Sequence, residues 1–182
     1  VAKVRQAQVV QLFDAGILLL PVGKDSDLLY LDFQNVSGDL SDEVLTTLTT
    51  HKDRIYEIKL TGLSNAAELL RLLEGAKGLR VLNVSGLQAA DDAVDVLTSF
   101  IGLESLILFG SDLSGVGLSR LTYSNLQKLY IGSTQVTEEQ FKSYREANAS
   151  TQVFGDVDLD SIEELKAVDL QNSAEFKPTK KK

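Results

Sequence analysis

The chain has 182 residues, 43% of them hydrophobic and 24% charged. That composition suits one folded domain with a sizeable core and argues against a disordered chain. The formal net charge is −8, and four of the eighteen Lys and Arg (Lys177, Lys180, Lys181, Lys182) crowd the last six residues. The body ahead of them is more acidic still, which argues against nucleic acid or an anionic membrane as partner, because both are bound by neutralising phosphates with cations. Cysteine is absent, which removes disulfides, thiolate metal sites, a Cys nucleophile and the Cys-x-x-Cys-His attachment of a c-type haem. No cofactor or metal is expected in this chain. The longest apolar run, "AGILLLPV", is far too short to span a bilayer, and no signal peptide is visible. Met is absent even at position 1, so the chain reads as a fragment cut from a longer protein.

In chain order, residues 1–27 come first. "VAKVRQAQVVQLFDAG" places Val4, Ala7, Val10, Leu12 and Phe13 mostly on one side of a helix, and "ILLLPVGKDSD" leads on as an entry segment. This region is expected to be an N-terminal capping helix and entry.

Residues 28–155 carry an internal repeat of the form L-x-x-L-x-L. It occurs as Leu28/Leu31/Phe33, Ile55/Ile58/Leu60, Leu79/Leu82/Val84, Leu103/Leu106/Leu108 and Leu126/Leu129/Ile131. A degenerate sixth turn at "TQVFGD" has Val153 facing inward. The middle residues recur every 23–27 positions, inside the leucine-rich-repeat range of about 20–29. The x-L-x-L core alternates as a half-buried strand must. Helical spacing follows, in Leu69/Leu70/Leu72/Leu73, in Val94/Leu97/Phe100 and in Phe141/Tyr144. Ser41-Asp42-Glu43, Ser64-Asn65, Asp91-Asp92 and Thr137-Glu138-Glu139 offer helix starts, and Gly75, Gly78 and Gly102 offer ends.

No such unit buries its apolar face alone, so neighbours must stack. The expected fold is α/β, a leucine-rich-repeat solenoid with a curved parallel sheet on the concave side, helices on the convex side and helical caps at both ends. The signature's Asn/Cys position holds Val36, Leu63, Leu87, Ser111 and Thr134, so no asparagine ladder forms and looser turns are expected in the first three repeats. Residues 156–171, with Leu159, Ile162, Leu165, Val168 and Leu170 at helical spacing, are expected to form a C-terminal capping segment. Residues 172–182 are expected to be a flexible basic tail.

The stretches "GILLLPVGKDSDLLYLDFQNV", "LNVSGL", "LILFGSDLS" and "LQKLYIGSTQVTEEQF" resemble the leucine-rich-repeat domain of certain bacterial membrane proteins, of planctomycete and Bacteroidetes type, that also carry a c-type cytochrome domain. The resemblance covers roughly residues 5–155, and its "LLPVGKDSDLLYLDF" entry is the more specific part. It implies a periplasmic or cell-surface module within a longer membrane-anchored protein, beside a domain that would hold any haem. No site residue carries over from it.

Chemistry is sparse. His51, the one histidine, sits in "LTTHKDRIY" and reads as an exposed loop residue. No G-x-S-x-G accompanies it, and one histidine without cysteine builds no ordinary zinc site. Asp156, Asp158 and Asp160 alternate like the start of a calcium loop, but Ser161 and Ala167 stand where an EF-hand needs Gly and Glu. There is no G-x-G-x-x-G and no P-loop. A non-enzyme is expected.

What remains is a surface. Outward strand positions form columns: Tyr30, Glu57, Val81, Ser105, Lys128; then Asp32, Lys59, Asn83, Ile107, Tyr130; then Gln34, Thr61, Ser85, Phe109, Gly132. Val81, Ile107, Phe109 and Tyr130, rimmed by Asp32, Lys59, Asn83 and Lys128 and flanked by Tyr30, make the candidate partner-binding surface. The expected function is a non-catalytic module that binds a protein partner or a neighbouring domain of the same polypeptide, without inserting into a membrane. Two alternatives stand beside it: a structural spacer next to the cytochrome domain, and a carbohydrate-binding domain using Asp32, Glu57 and Tyr30.

Overall fold

A computed structural model describes residues 4–155. Among these, helices and strands alternate: α1 (Gln6–Asp14), β1 (Leu18–Pro21), β2 (Leu29–Asp32), α2 (Asp42–His51), β3 (Ile55–Lys59), α3 (Ala66–Leu72), β4 (Val81–Asn83), α4 (Ala90–Thr98), β5 (Ser105–Ile107), α5 (Gly115–Arg120), β6 (Lys128–Tyr130), α6 (Glu138–Ala147) and β7 (Gln152–Phe154). The seven strands form one sheet in chain order. β1 and β2 pair antiparallel, and every later neighbour pairs parallel. The protein is therefore α/β with a mostly parallel sheet, and a helix supplies each crossover that parallel neighbours need.

Leu31, Ile58, Leu82, Leu106, Leu129 and Val153 lie in register across the sheet, and all are buried. Alternation sends their neighbours to the other face. The inner faces of the helices meet this row through Leu48, Leu70, Leu97 and Leu118, giving one continuous core. The ladder runs one residue past each strand. The N–H groups of Phe33, Leu60, Val84, Leu108 and Ile131 donate to the carbonyls of Lys59, Asn83, Ile107, Tyr130 and Phe154 at 2.8–2.9 Å.

Helix starts follow local chemistry. Ser41 accepts from the Val44 N–H at α2, and Thr137 and Gln140 form a reciprocal capping box at α6. α4 is capped from outside itself. Its N-cap is Ala89 at φ +51°, and the carboxylate of Asp112, one repeat further on, accepts the N–H groups of Ala89 and Ala90 at 2.8 and 2.6 Å. Asp91, one of the acids expected at the start of α4, lies in its first turn and accepts from the N–H and hydroxyl of Ser114, the N-cap of α5. Carboxylates thus tie adjacent repeats together.

Several expectations are corrected. Leu28 is exposed, and Leu29 takes its inward place opposite Ile55, because the register slips between Leu29 and Tyr30. The three early turns are closed by the same backbone bond as the Ser111 turn. Val36, Leu63, Leu87 and Ser111 all donate to the carbonyl three residues back, at 3.0, 3.3, 3.0 and 3.1 Å. The apolar side chains pack inward there instead of bonding the turn, and Leu87 is fully buried. In α1 only Leu12 is buried, while Val10 and Phe13 point outward. The chain then reverses at Gly16, whose φ of +83° and contact with the Asn35 carbonyl leave no room for a Cβ, so the helix stripe ends early and "LLLP" becomes an edge strand. The expected closing segment, tail and calcium-like aspartates lie outside the described residues.

Candidate functional site

The sheet face away from the helices carries the columns read from the sequence. Register places Tyr30, Glu57, Val81, Ser105, Lys128 and Gln152 side by side, and next to them Asp32, Lys59, Asn83, Ile107, Tyr130 and Phe154. β1 adds Leu20 opposite Tyr30 and Leu18 opposite Asp32. The second column runs from charged to polar to aliphatic to aromatic, so the face has two unlike halves.

The polar half is occupied with itself. The Asp32 carboxylate accepts the Tyr30 hydroxyl at 3.0 Å, the Lys59 ammonium at 3.3 Å and the Gln34 N–H at 2.8 Å. Lys59 also donates to the Gln34 side chain at 3.3 Å. Partial burial, aided by the neighbouring carboxylates of Asp32 and Glu57, pushes the Tyr30 phenol up to about 12. Asn83 Oδ1 accepts from the Ser85 N–H and hydroxyl at 3.0 and 2.7 Å. Asp32 and Asn83 thereby serve the turn that follows each strand. Asp32 is engaged by three donors, so it is not poised beside Glu57 as one of a pair of free carboxylates.

The apolar half is open. Phe109 is 52% exposed and Phe154 is 42% exposed. The rings of Tyr130 and Phe154 stack with centroids 4.6 Å apart and planes inclined by 10°. Beside them a shallow depression of about 540 Å³ is lined by Val81, Glu104, Ser105, Ile107, Gln127, Lys128 and Tyr130. Glu104 is tied to Arg80 at 3.5 Å. The exposed Lys128 ammonium has no ion pair among the described residues. Such a surface offers apolar contact with one free cation and a few polar groups at its margin.

The structure brings Val81, Ile107, Tyr130 and Lys128 together as read from the sequence, with Phe109 in the turn after β5. It shows Tyr30, Asp32, Lys59 and Asn83 engaged in contacts within the chain. Phe154 was missed, although the inward Val153 already implied an outward neighbour on either side. His51 is corrected: it is the last residue of α2 and only 6% exposed, on the stripe Val44, Leu48, His51. Burial, reinforced by Arg54 and Arg5, holds its pKa below 6.5, and its Nε2 has no hydrogen-bond partner among the described residues. Among the described residues no group of three or more metal-ligating side chains converges, and no helix is long and apolar enough to cross a membrane.

No protein-family model matches the chain, and no curated protein matches it. In structure it is similar to the actin-binding site 2 unit of leiomodin-1, with a TM-score of 0.52 and 11% sequence identity, over 78% of this chain and 100% of that one. At that identity the likeness is one of fold.

Proposed function

We propose that the chain is a leucine-rich-repeat solenoid acting as a non-catalytic protein-binding module. Its outward sheet face is the concave binding surface, and the anchors lie in its apolar half. The observation that carries this reading is the cluster of Ile107, Phe109, Tyr130 and Phe154 on a face whose other half satisfies its own polar groups. Aromatic and aliphatic side chains clustered in an exposed patch are what a protein interface uses as hot spots. A 23–27-residue period with one strand and, in nearly every unit, one helix supports the leucine-rich-repeat class. The structural neighbour is itself named as a binding site for a protein, which supports a protein partner without naming one. In the setting the sequence resemblance implies, the module stands on the periplasmic or cell-surface side of a bacterial membrane, and the partner is an envelope protein or the adjoining cytochrome domain.

The test is affinity capture from solubilised envelope with the natural chain and with the I107S/F109S double variant. Recovery of one specific protein by the natural chain, lost in the variant while its circular dichroism is unchanged, supports the module. Equal recovery by both refutes this face as the site, and an empty capture from a folded bait favours the spacer.

A further inference from the structure

The helix side of the sheet is interrupted between α5 and α6. α5 spans six residues where α4 spans nine and α6 ten. After Arg120 the chain turns extended at Leu121, with ψ +93°, so the C-terminal turn of α6 has no helix beside it. Two contacts fix the spacing. Gly115 of α5 lies so close to the Gln140 side chain that no Cβ fits there, and the Tyr144 hydroxyl donates to the Leu121 carbonyl at 2.7 Å. Along this seam runs a groove of about 420 Å³, inside the range of about 300–1,000 Å³ that small-molecule sites occupy.

The lining has an apolar part and a charged end. Leu121, Tyr144 and Ala147 supply the first, and Glu139 is the one charged residue among those that line the groove. Glu139 is exposed and has no ion pair or hydrogen bond among the described residues, and the same holds for the side chains of Ser143 and Thr122 beside it. The capping box of α6 uses Thr137 and Gln140 and leaves the Glu139 carboxylate out. Glu139, Ser143 and Ala147 are four residues apart, so they follow one another along one stripe of the helix. At about 1.5 Å per residue, that stripe runs about 12 Å from carboxylate to methyl. We infer that the groove binds a small organic amine, its ammonium paired with Glu139 and its apolar body laid over Tyr144 and Ala147. The unpaired carboxylate selects a cation over an anion of the same shape, and the apolar lining selects an amine with a body over an inorganic cation. The groove and the partner face lie on opposite sides of the sheet, so either reading can fail without the other.

The test is a titration of the isotope-labelled full chain with phenylbutylamine, followed by amide chemical shifts. Phenylbutanol and phenylbutyrate serve as the neutral and anionic probes with the same body. A pair formed at an exposed carboxylate is worth up to about fivefold in affinity. The expected result is saturable shifts centred on Thr122 and residues 143–148, with the amine bound about three- to fivefold more tightly than the alcohol and the carboxylate weakest. E139Q should bring the amine to the alcohol's affinity and leave the alcohol unchanged. A147F, at an exposed position, should fill the groove and block all three probes in a chain whose other amide shifts are unmoved. Equal affinity for amine and carboxylate overturns the inference, and so does an amine affinity that E139Q leaves unchanged. Shifts that never saturate, or that centre on Ile107 and Tyr130, place the probe elsewhere and overturn it too.

Discussion

Replacing Asp112 by Ala should uncouple two repeats that its carboxylate joins. Asp112 follows β5 and accepts the N–H groups of Ala89 and Ala90 with separate oxygens, at 2.8 and 2.6 Å. Both donors belong to the first turn of α4, where N–H groups have no partner inside the helix. Ala90 is fully buried, so water cannot readily replace the lost acceptor. Truncating a helix cap costs about 0.5–2 kcal/mol. Bonds from backbone donors to a charged acceptor are worth about 1.5–3 kcal/mol before discounting for exposure. Asp112 is half-buried, and the two figures overlap because they describe the same bonds. The expected loss for D112A is about 2–3 kcal/mol. D112N separates geometry from shape: its amide keeps one acceptor oxygen and turns an NH₂ toward the second N–H, so about half the loss is expected. Urea unfolding of the three chains at one pH reads the difference as midpoint shifts at constant slope. A D112A chain within 0.5 kcal/mol of the natural one would refute the cross-repeat cap, and a D112N chain as weakened as D112A would refute the two-oxygen geometry.

Two further predictions concern pH. His51 is held neutral in the fold by burial, with a pKa below its ordinary 6.5, so the unfolded chain binds its proton first. Stability from this residue is full above 6.5 and is lost as pH falls through 6.5 toward the folded value, at no more than about 1.4 kcal/mol per pH unit; H51Q should show a shallower decline between pH 7.5 and 5.5 in urea midpoints, and an unchanged decline would place the imidazole in water. Among the five tyrosines, burial pushes Tyr30 and Tyr144 up to about 12 and raises Tyr123 as well. Absorbance at the phenolate band should therefore show these three still protonated in folded protein above pH 10, with their release on unfolding. Their contribution to stability is lost as pH rises from the unfolded value near 10, and a folded spectrum in which Y30F, Y123F and Y144F each remove a phenolate signal rising near pH 10 would contradict this.

The strands were legible because burial on one face imposes alternation, and the columns follow from alternation plus parallel order. Ile107 beside Tyr130 needed nothing more. Phe154 follows equally once Val153 is placed inward, but the degeneracy of the last repeat conceals it. What the sequence hid were contacts between repeats. Nothing local marks Asp112 as the cap of a helix that begins 22 residues earlier, or Asp32 as the acceptor of Lys59 from the next strand. His51 was misread for a different reason: its own neighbours, Lys52, Asp53 and Arg54, look like a loop, while the stripe Val44–Leu48–His51 had already fixed its side. Val10 and Phe13 failed the same way in reverse, since the stripe they share is real but the helix that bears it packs through Leu12 alone.

The division of the outward face into a closed half and an open half bears on where a partner gains most. A group already hydrogen-bonded within its own chain gains little by being covered, because any new contact must first replace a good bond and strip its water. Asp32, Lys59 and Asn83 are in that position, and Tyr30 with its bonded hydroxyl joins them. Ile107, Phe109 and Phe154 have no such bonds to lose, and covering them removes apolar surface from water outright. The same sheet therefore spends its charged end on holding strands and turns together, and under the proposed function its aromatic end is the part left for contact. That is why substitutions in the two halves belong to different experiments, unfolding for the first and capture for the second.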